Sequence, residues 1–424
     1  VQAEQRSGEG CMRIVFSPES YNLGETTRCI EVAGAARAAG HETSFHVYSD
    51  RYLGLIEDAG HAVRLGSPMM TEEQAREVMD VDQGRGISHP FDLETVRGRV
   101  SGELAAIRDA DAVVIGSNPT MFISARAGGV PLFYVRPYFL SRSYFLDVED
   151  AFRAPAPFRW AARLITWKPR SLARVAAEYG VPLPGPLVEA MTADVDLIAS
   201  LPPALDQRPL SSRDVAVGPV HYHAPDPLPA FLADGEAPHP LVYVSFGSSG
   251  SPMVLGRVLS QLDALGIDLL VGGGVEIPAD VAARLSDRVH RVGFVPEHRL
   301  RGLIDAAVIH GGEGTVQAAC LAGVPFAGYP MQAEQRWNIN ECVRLGTAIR
   351  LRRSDIVQGN VCAVVHQLLT DGSLRRSAAE LGDRMASLDG PARAVSVIER
   401  TVAECSTTPT AERTNTTPTQ EESP

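Results

Sequence analysis

Glu19 and Glu25 lie in the stretch SPESYNLGETTR, Ser17 to Arg28, which carries two carboxylates and no histidine. A carboxylate so placed can act as a general base, taking the proton of a hydroxyl within hydrogen-bond reach. Far along the chain, HGGEGT at His310 to Thr315 sets a histidine before glycines and a threonine. Glycines let an anion approach the main chain closely, and the bare N–H groups at a helix start favour a phosphate. A second glycine turn, SFGSSGS at Ser245 to Ser251, is placed to grip the same anion, through Ser245, Gly247 and Ser248. The chemistry on offer is proton abstraction in one half and phosphate binding in the other.

Such residues need elements to hold them. MRIVF, Met12 to Phe16, reads as a short buried strand, and TTRCIEVAGAARAAG behind the loop as a helix. A strand, a polar loop and a helix put a ligand at the carboxyl edge of a sheet. The pattern returns in HETSFHV from His41, in His61 to Leu65, in DAVVIG from Asp111 and in VPLFYV from Val130. Short apolar strands alternating with helices predict a parallel α/β sheet. Residues 136–203 turn aromatic- and proline-rich, a helical insertion within an N-terminal domain of 12–204. Proline and aspartate across 205–240 predict a semi-rigid linker. A second strand–helix series starts at Leu241 and gives a C-terminal domain of 241–405, with 406–424 a disordered tail. The fold class is α/β, two Rossmann-like domains with a cleft between them.

Composition narrows the partners. A chain of 424 residues suffices for two domains, and 45% hydrophobic with 21% charged residues is ordinary for a globular protein. A net charge of −12 disfavours phosphate-backbone binding, so no nucleic acid is expected. No apolar run approaches the ~20 residues that span a bilayer, and VQAEQRSGEG lacks the apolar core of a signal peptide. A cytoplasmic protein without membrane insertion is the expectation. Six cysteines without a CxxC pair suit a reducing compartment and predict no structural zinc. Lys168 is the only lysine, which excludes a P-loop. His221 and His223 alternate as metal ligands on a strand do, but have no third ligand nearby in sequence. The D-x-D pairs Asp80/Asp82, Asp109/Asp111 and Asp194/Asp196 fall outside strand ends, so no metal is expected.

Four motifs then follow one another: GFVPE at Gly293 to Glu297, HGGEGT, GVP at Gly323 to Pro325, and PMQAEQRWN at Pro330 to Asn338. Their order and spacing resemble the UDP-glycosyltransferase superfamily, inverting enzymes of the two-domain GT-B fold, in its bacterial natural-product type. In the N-terminal half the resemblance rests on architecture and on ARAGGVP at Ala125 to Pro131. It implies a nucleoside-diphosphate-sugar donor in the C-terminal domain, a small-molecule acceptor in the N-terminal one, and neither metal nor cofactor. His310 and the backbone of Gly312, Gly314 and Thr315 would bind the diphosphate, with Ser245 and Ser248 assisting. Phe294 and Val295 would hold the base, Glu334 and Gln335 the sugar hydroxyls, and Asn338 would reach back to phosphate.

The chain departs from this pattern twice. Ala318 stands where members using ribonucleotides carry a ribose-binding glutamate, which admits a dTDP-sugar beside the usual UDP-sugar. The family's catalytic histidine, in G-H-x-x-P, has its slot at Glu25 in GETTR when counted back from the helix end ARAAGHE. The region of its aspartate partner is IGSNPTM, with Ser117 and Asn118 and no carboxylate. Glu25 is accordingly the expected base, with Glu19, Tyr21 and Asn118 lining the acceptor site. A sugar-nucleotide 2-epimerase of the same fold and an inactive nucleotide-sugar-binding protein remain alternatives, and a homodimer is left open.

Overall fold

The computed structural model describes residues 10–82, 91–147, 154–201, 208–233, 238–247 and 250–407. The apolar runs form two sheets. The first holds β1 (Arg13–Phe16), β2 (Glu42–Val47), β3 (Ala62–Leu65), β4 (Ala112–Ile115), β5 (Leu132–Arg136), β6 (Val195–Ile198) and β7 (Asp214–Ala216). The second holds β8 (Leu241–Ser245), β9 (Asp268–Val271), β10 (Val289–Arg291), β11 (Ala306–Ile309), β12 (Phe326–Gly328) and β13 (Ala348–Arg350). Their orders are β3-β2-β1-β4-β5-β6-β7 and β10-β9-β8-β11-β12-β13, with parallel pairing throughout. Helices cover both faces of such sheets, so their central strands must be apolar on both sides. β4, β5, β8 and β11 are indeed buried along their whole length.

In each sheet the order reverses beside the first strand, where β1 lies next to β4 and β8 next to β11. Loops leaving neighbouring strand ends diverge at such a point and open a crevice. Ser17–Asn22 and Gly116–Thr120 follow β1 and β4, while Phe246–Gly247 and His310–Gly312 follow β8 and β11. The residues singled out for chemistry therefore occupy the two crevices this topology makes.

Domain boundaries differ from the sequence reading in two places. β6 and β7 belong to the first sheet, so the insertion is shorter than 136–203 and the segment read as a linker from 205 supplies a strand. Asp214 on that strand accepts the Ser143 N–H at 2.8 Å, a contact 71 positions away in the chain. The last helix, Gly390–Thr407, was assigned by sequence to the second domain but packs on the helix Leu23–Ala38. It sends Ala394, Val395, Val397 and Ile398 into the first domain's core, and His41 Nε2 meets Glu399 Oε1 at 3.0 Å. Burial of each Val or Ile there contributes about 1.5–3 kcal/mol of transfer free energy. An amphipathic pattern says that a helix has a partner, not which one. The tail beyond Thr407 lies outside the described residues.

Candidate active site

β11 runs on into His310, whose N–H donates to the Ser245 carbonyl at the end of β8 (3.2 Å). The buried imidazole is wrapped by two glycines. A Cβ on Gly247 would lie 2.6 Å from its Cε1, and one on Gly312 would lie 2.6 Å from its Nε2. Any side chain at either position would displace the ring, which is the local reason for the motif. The Thr315 hydroxyl donates to the Gly312 carbonyl (3.0 Å) and lies 3.4 Å from His310 Nδ1. Burial pushes the His310 pKa down to about 4, so the ring is neutral at pH 7. Positive potential at this turn comes instead from the N-terminus of the helix Glu313–Ala322. Gly314 in its first turn is exposed, and a Cβ there would meet nothing within 4 Å. The main chain is open to a ligand at that point.

Two residues expected on the donor itself are engaged in holding the turn. Asn338 Nδ2 donates to the Gly311 carbonyl at 3.1 Å. Gln335 Oε1 accepts from the Met331 and Gln332 N–H groups (2.8 and 3.2 Å), capping the helix Ala333–Arg344. Both are buried, whereas Glu334 beside them is half-buried. Val295 packs into the second domain's core, which leaves its main chain for a base, while Phe294 is exposed with its ring 6.0 Å from Tyr222. Ala318 is buried on the diphosphate-side helix. Ser248 lies outside the described residues.

Across the cleft, Asn22 caps the helix Leu23–Ala38 by accepting the Gly24 N–H at 3.0 Å. Glu25 is thereby the third helical residue, where the dipole favours a carboxylate, and it is buried. Gly116 at the end of β4 packs against it so closely that a Cβ would stand 3.0 Å from Glu25 Cβ. Arg28, on the same helix, is near enough to Glu313 for its charge to lower the Glu313 pKa. Gln317 Nε2 donates both to Glu313 Oε1 (3.0 Å) and to the Ala199 carbonyl beyond β6 (3.0 Å). The two domains thus meet beside the start of the Glu313–Ala322 helix, with Arg28 of the first-domain helix within electrostatic reach of it.

The three residues expected to line the acceptor site are otherwise committed. Glu19 is fully buried and accepts from Arg99 Nη1 at 2.8 Å, while Arg99 lies between the rings of Tyr48 and Phe91 (4.0 and 3.9 Å). Tyr21 belongs to an apolar cluster with Phe91, Val96 and Val100. Asn118 donates to Ser17 Oγ (3.1 Å) and Glu103 Oε1 (3.0 Å) and accepts from the Thr120 N–H (3.2 Å). Its donors and its carbonyl are thus used within the framework. Glu103 also receives Tyr48 (3.1 Å), Thr120 (2.6 Å) and the Ser124 hydroxyl, and burial raises its pKa. This buried polar network braces the loops after β1 and β4. Of the D-x-D aspartates, Asp111 and Asp194 stand just before β4 and β6 and Asp196 within β6, contrary to the expectation; Asp111 and Asp194 accept main-chain N–H groups at 2.8 and 2.9 Å, and Asp196 pairs with Arg136 at 2.9 Å. The side chains of Asp80 and Asp82 lie outside the described residues.

Sequence reasoning passed over Glu313, the first residue of the diphosphate-side helix. Burial and the neighbouring Glu334 charge push its pKa up to about 7, against the pull of Gln317, Arg28 and Ser200. An acid opening a phosphate-type turn was the signal, because its charge opposes the expected ligand. Aromatic residues of the insertion tie the domains together: the Tyr138 and Tyr144 rings lie 5.3 and 6.1 Å from Trp337. A separate cavity of about 730 Å³ opens on the hinge side, lined by Glu31, Arg37, His61, His221 and Asp389 among others. His298 joins His223 there at 5.0 Å, yet among the described residues no three His, Cys, Asp or Glu stand where they could hold a metal ion.

Known proteins match this arrangement. Residues 257–401 match the family model of the erythromycin biosynthesis protein CIII-like C-terminal domain. A PGL/p-HBAD biosynthesis glycosyltransferase of Mycobacterium tuberculosis is 23% identical over 403 residues, 88% of each chain. The spinosyn forosaminyltransferase SpnP superposes with a TM-score of 0.69 at 19% identity, covering 92% of this chain and 99% of its own. The glycosyltransferase VinC, solved with DTDP, superposes at 0.65 and 18% identity over 93% of this chain and all of its own. Two parallel-sheet domains with facing switch points are thus the GT-B glycosyltransferase fold. The resemblance to the glycosyltransferase superfamily of bacterial natural-product type stands on motifs, C-terminal domain and fold together.

Proposed function

We propose that this protein is an inverting glycosyltransferase that moves a sugar from a nucleoside-diphosphate donor to a hydroxyl of a small molecule without a metal. The observation that carries the reading is the junction of the two switch points, where Gln317 of the helix after the His310–Thr315 turn bonds the Ala199 carbonyl and Arg28, on the helix that bears Glu25, lies within electrostatic reach of Glu313. Glu25 takes the acceptor proton as the acceptor oxygen bonds to the anomeric carbon. The bond from that carbon to the diphosphate breaks on the opposite side, which inverts the centre. The leaving charge settles on the N–H groups around Gly312 and Gly314, where the helix dipole supplies the stabilisation a metal gives elsewhere. His310, neutral in its glycine cradle, adds a hydrogen bond rather than a charge.

A thymidine nucleotide is the favoured donor. Ala318 offers no acceptor to a ribose 2′-hydroxyl, and VinC and SsfS6 were both solved with thymidine diphosphate. The experiment is sugar transfer from dTDP- and UDP-sugars across a hydroxylated acceptor panel, with and without EDTA, by wild type, Glu25→Gln and Glu25→Ala. Transfer that survives chelation and drops at least ~100-fold in both variants supports the mechanism. Undiminished turnover in both variants removes Glu25 as the base.

A further inference from the structure

The surface outside the cleft carries an anomaly on the insertion of the first domain. The helix Ala156–Leu164 and the segment after it expose Phe158 (64%), Trp160 (70%), Leu164 (56%), Ile165 (46%) and Trp167 (53%). These are five of the thirteen exposed large apolar side chains among the described residues, gathered within ten positions, and two of the chain's three tryptophans. Scattered apolar residues on a surface are ordinary, but a contiguous group marks an interaction site. Ala162 is the buried residue of this helix, so the helix rests on the domain by a small side chain and presents its large ones outward.

Charge supplies a second, independent observation. From Ala154 to Ala177 the chain has Arg159, Arg163, Lys168, Arg170 and Arg174 and no aspartate or glutamate, although its net charge is −12; Arg174 pairs with Glu178 just beyond (3.6 Å). Arg163 donates to the Leu146 carbonyl (2.7 Å), and Lys168 to the carbonyls of Thr166 and Gly185 (3.0 and 2.6 Å). Those acceptors are neutral, so they position the cations without cancelling their charge. Aromatic and aliphatic side chains beside acid-free cations are the composition of a helix that lies in a membrane interface.

We propose that this face docks on an anionic lipid surface. Phe158, Trp160, Leu164, Ile165 and Trp167 enter the headgroup region, and Arg163, Lys168 and Arg170 meet lipid phosphates. Apolar burial alone would satisfy a protein partner or a second copy. A cationic stretch without an acid from Ala154 to Ala177, in an acidic chain, is complementary to a plane of negative charge. No described helix is long and apolar enough to cross a membrane, so the contact is with the surface.

The test uses the full chain with phosphatidylcholine vesicles and with vesicles containing phosphatidylglycerol, followed by co-sedimentation and tryptophan emission. Binding to the anionic vesicles should be about tenfold or more tighter than to the neutral ones and should weaken with salt. Emission should shift to the blue as Trp160 and Trp167 leave water. Trp160→Ser/Trp167→Ser should lose binding and shift at an unchanged melting temperature, and Lys168→Gln/Arg170→Gln should lose the preference for anionic lipid. The proposal is overturned by absence of binding to anionic vesicles, by equal binding to both kinds, or by undiminished binding of the tryptophan variant. A dimer dissolved by the tryptophan substitutions, without vesicle binding, would assign the face to a second copy instead.

Discussion

Gly314→Ala separates the fold of the diphosphate-side turn from its use. A Cβ at this position meets no atom within 4 Å, so the unliganded protein accommodates a methyl group there. Alanine is the better helix former by roughly 0.5–1 kcal/mol, and the melting temperature should stay level or rise by about 2 °C. A diphosphate bound at the helix start occupies that open space, and the methyl would push it off the main chain. One hydrogen bond to an anion is worth about 1.5–3 kcal/mol, so a single lost bond weakens nucleotide binding by about tenfold to a hundredfold. Calorimetric titration with dTDP and UDP, beside a thermal melt, measures both effects in one variant. Gly312→Ala is the contrast, because its Cβ would stand 2.6 Å from His310 Nε2 and the fold itself should suffer. Wild-type affinity for both nucleotides in a well-folded Gly314→Ala protein would refute the placement of the diphosphate on this helix.

Glu313→Gln should show a stability difference that depends on pH. The carboxyl titrates at about 7 in the folded protein against an ordinary value of 4.5, so the folded state keeps a proton that the unfolded chain releases first. Its stabilisation is complete below about pH 4.5 and lost as pH rises to 7. The glutamine variant should therefore match wild type in melts at pH 4.5 and exceed it at pH 8; equal melting temperatures at pH 8 would count against the raised pKa. Glu19→Leu leaves Arg99 buried without its carboxylate and should cost about 3–5 kcal/mol in urea unfolding, with Glu19→Leu/Arg99→Met losing less than the sum. A loss below ~1 kcal/mol joined to a raised acceptor KM would return Glu19 to the acceptor site. Titration of the wild type should find dTDP at least as tight as UDP, and a strong UDP preference would sink the inference from Ala318.

The parts of the fold that rest on local pattern were readable from the chain. MRIVF, DAVVIG and AAVIHGG are strands because each is too apolar to lie anywhere but between two helical layers. HGGEGT was readable for the same local reason, Gly312 being demanded by the His310 ring and Gly311 by its positive φ against Ile339. The framework contacts of Glu19, Tyr21 and Asn118 were not legible in the sequence because their partners are remote. Arg99 lies 80 positions from Glu19, and Ser17 lies 101 positions from Asn118. A polar loop looks available in sequence until a distant helix brings the group that occupies it. Glu313 was left aside for another reason, its position being variable in the family that the motif resembles, and only the structure shows its pKa raised to about 7.

The helix Gly390–Thr407 closes the first domain's core although it is made after both sheets. During synthesis the first sheet must therefore wait, with the apolar flank of the Leu23–Ala38 helix uncovered, until almost the whole described chain has left the ribosome. A fragment ending after β7 would inherit that uncovered flank permanently. The two domains are distinct in architecture, yet the core of the first is completed by a helix encoded after the second.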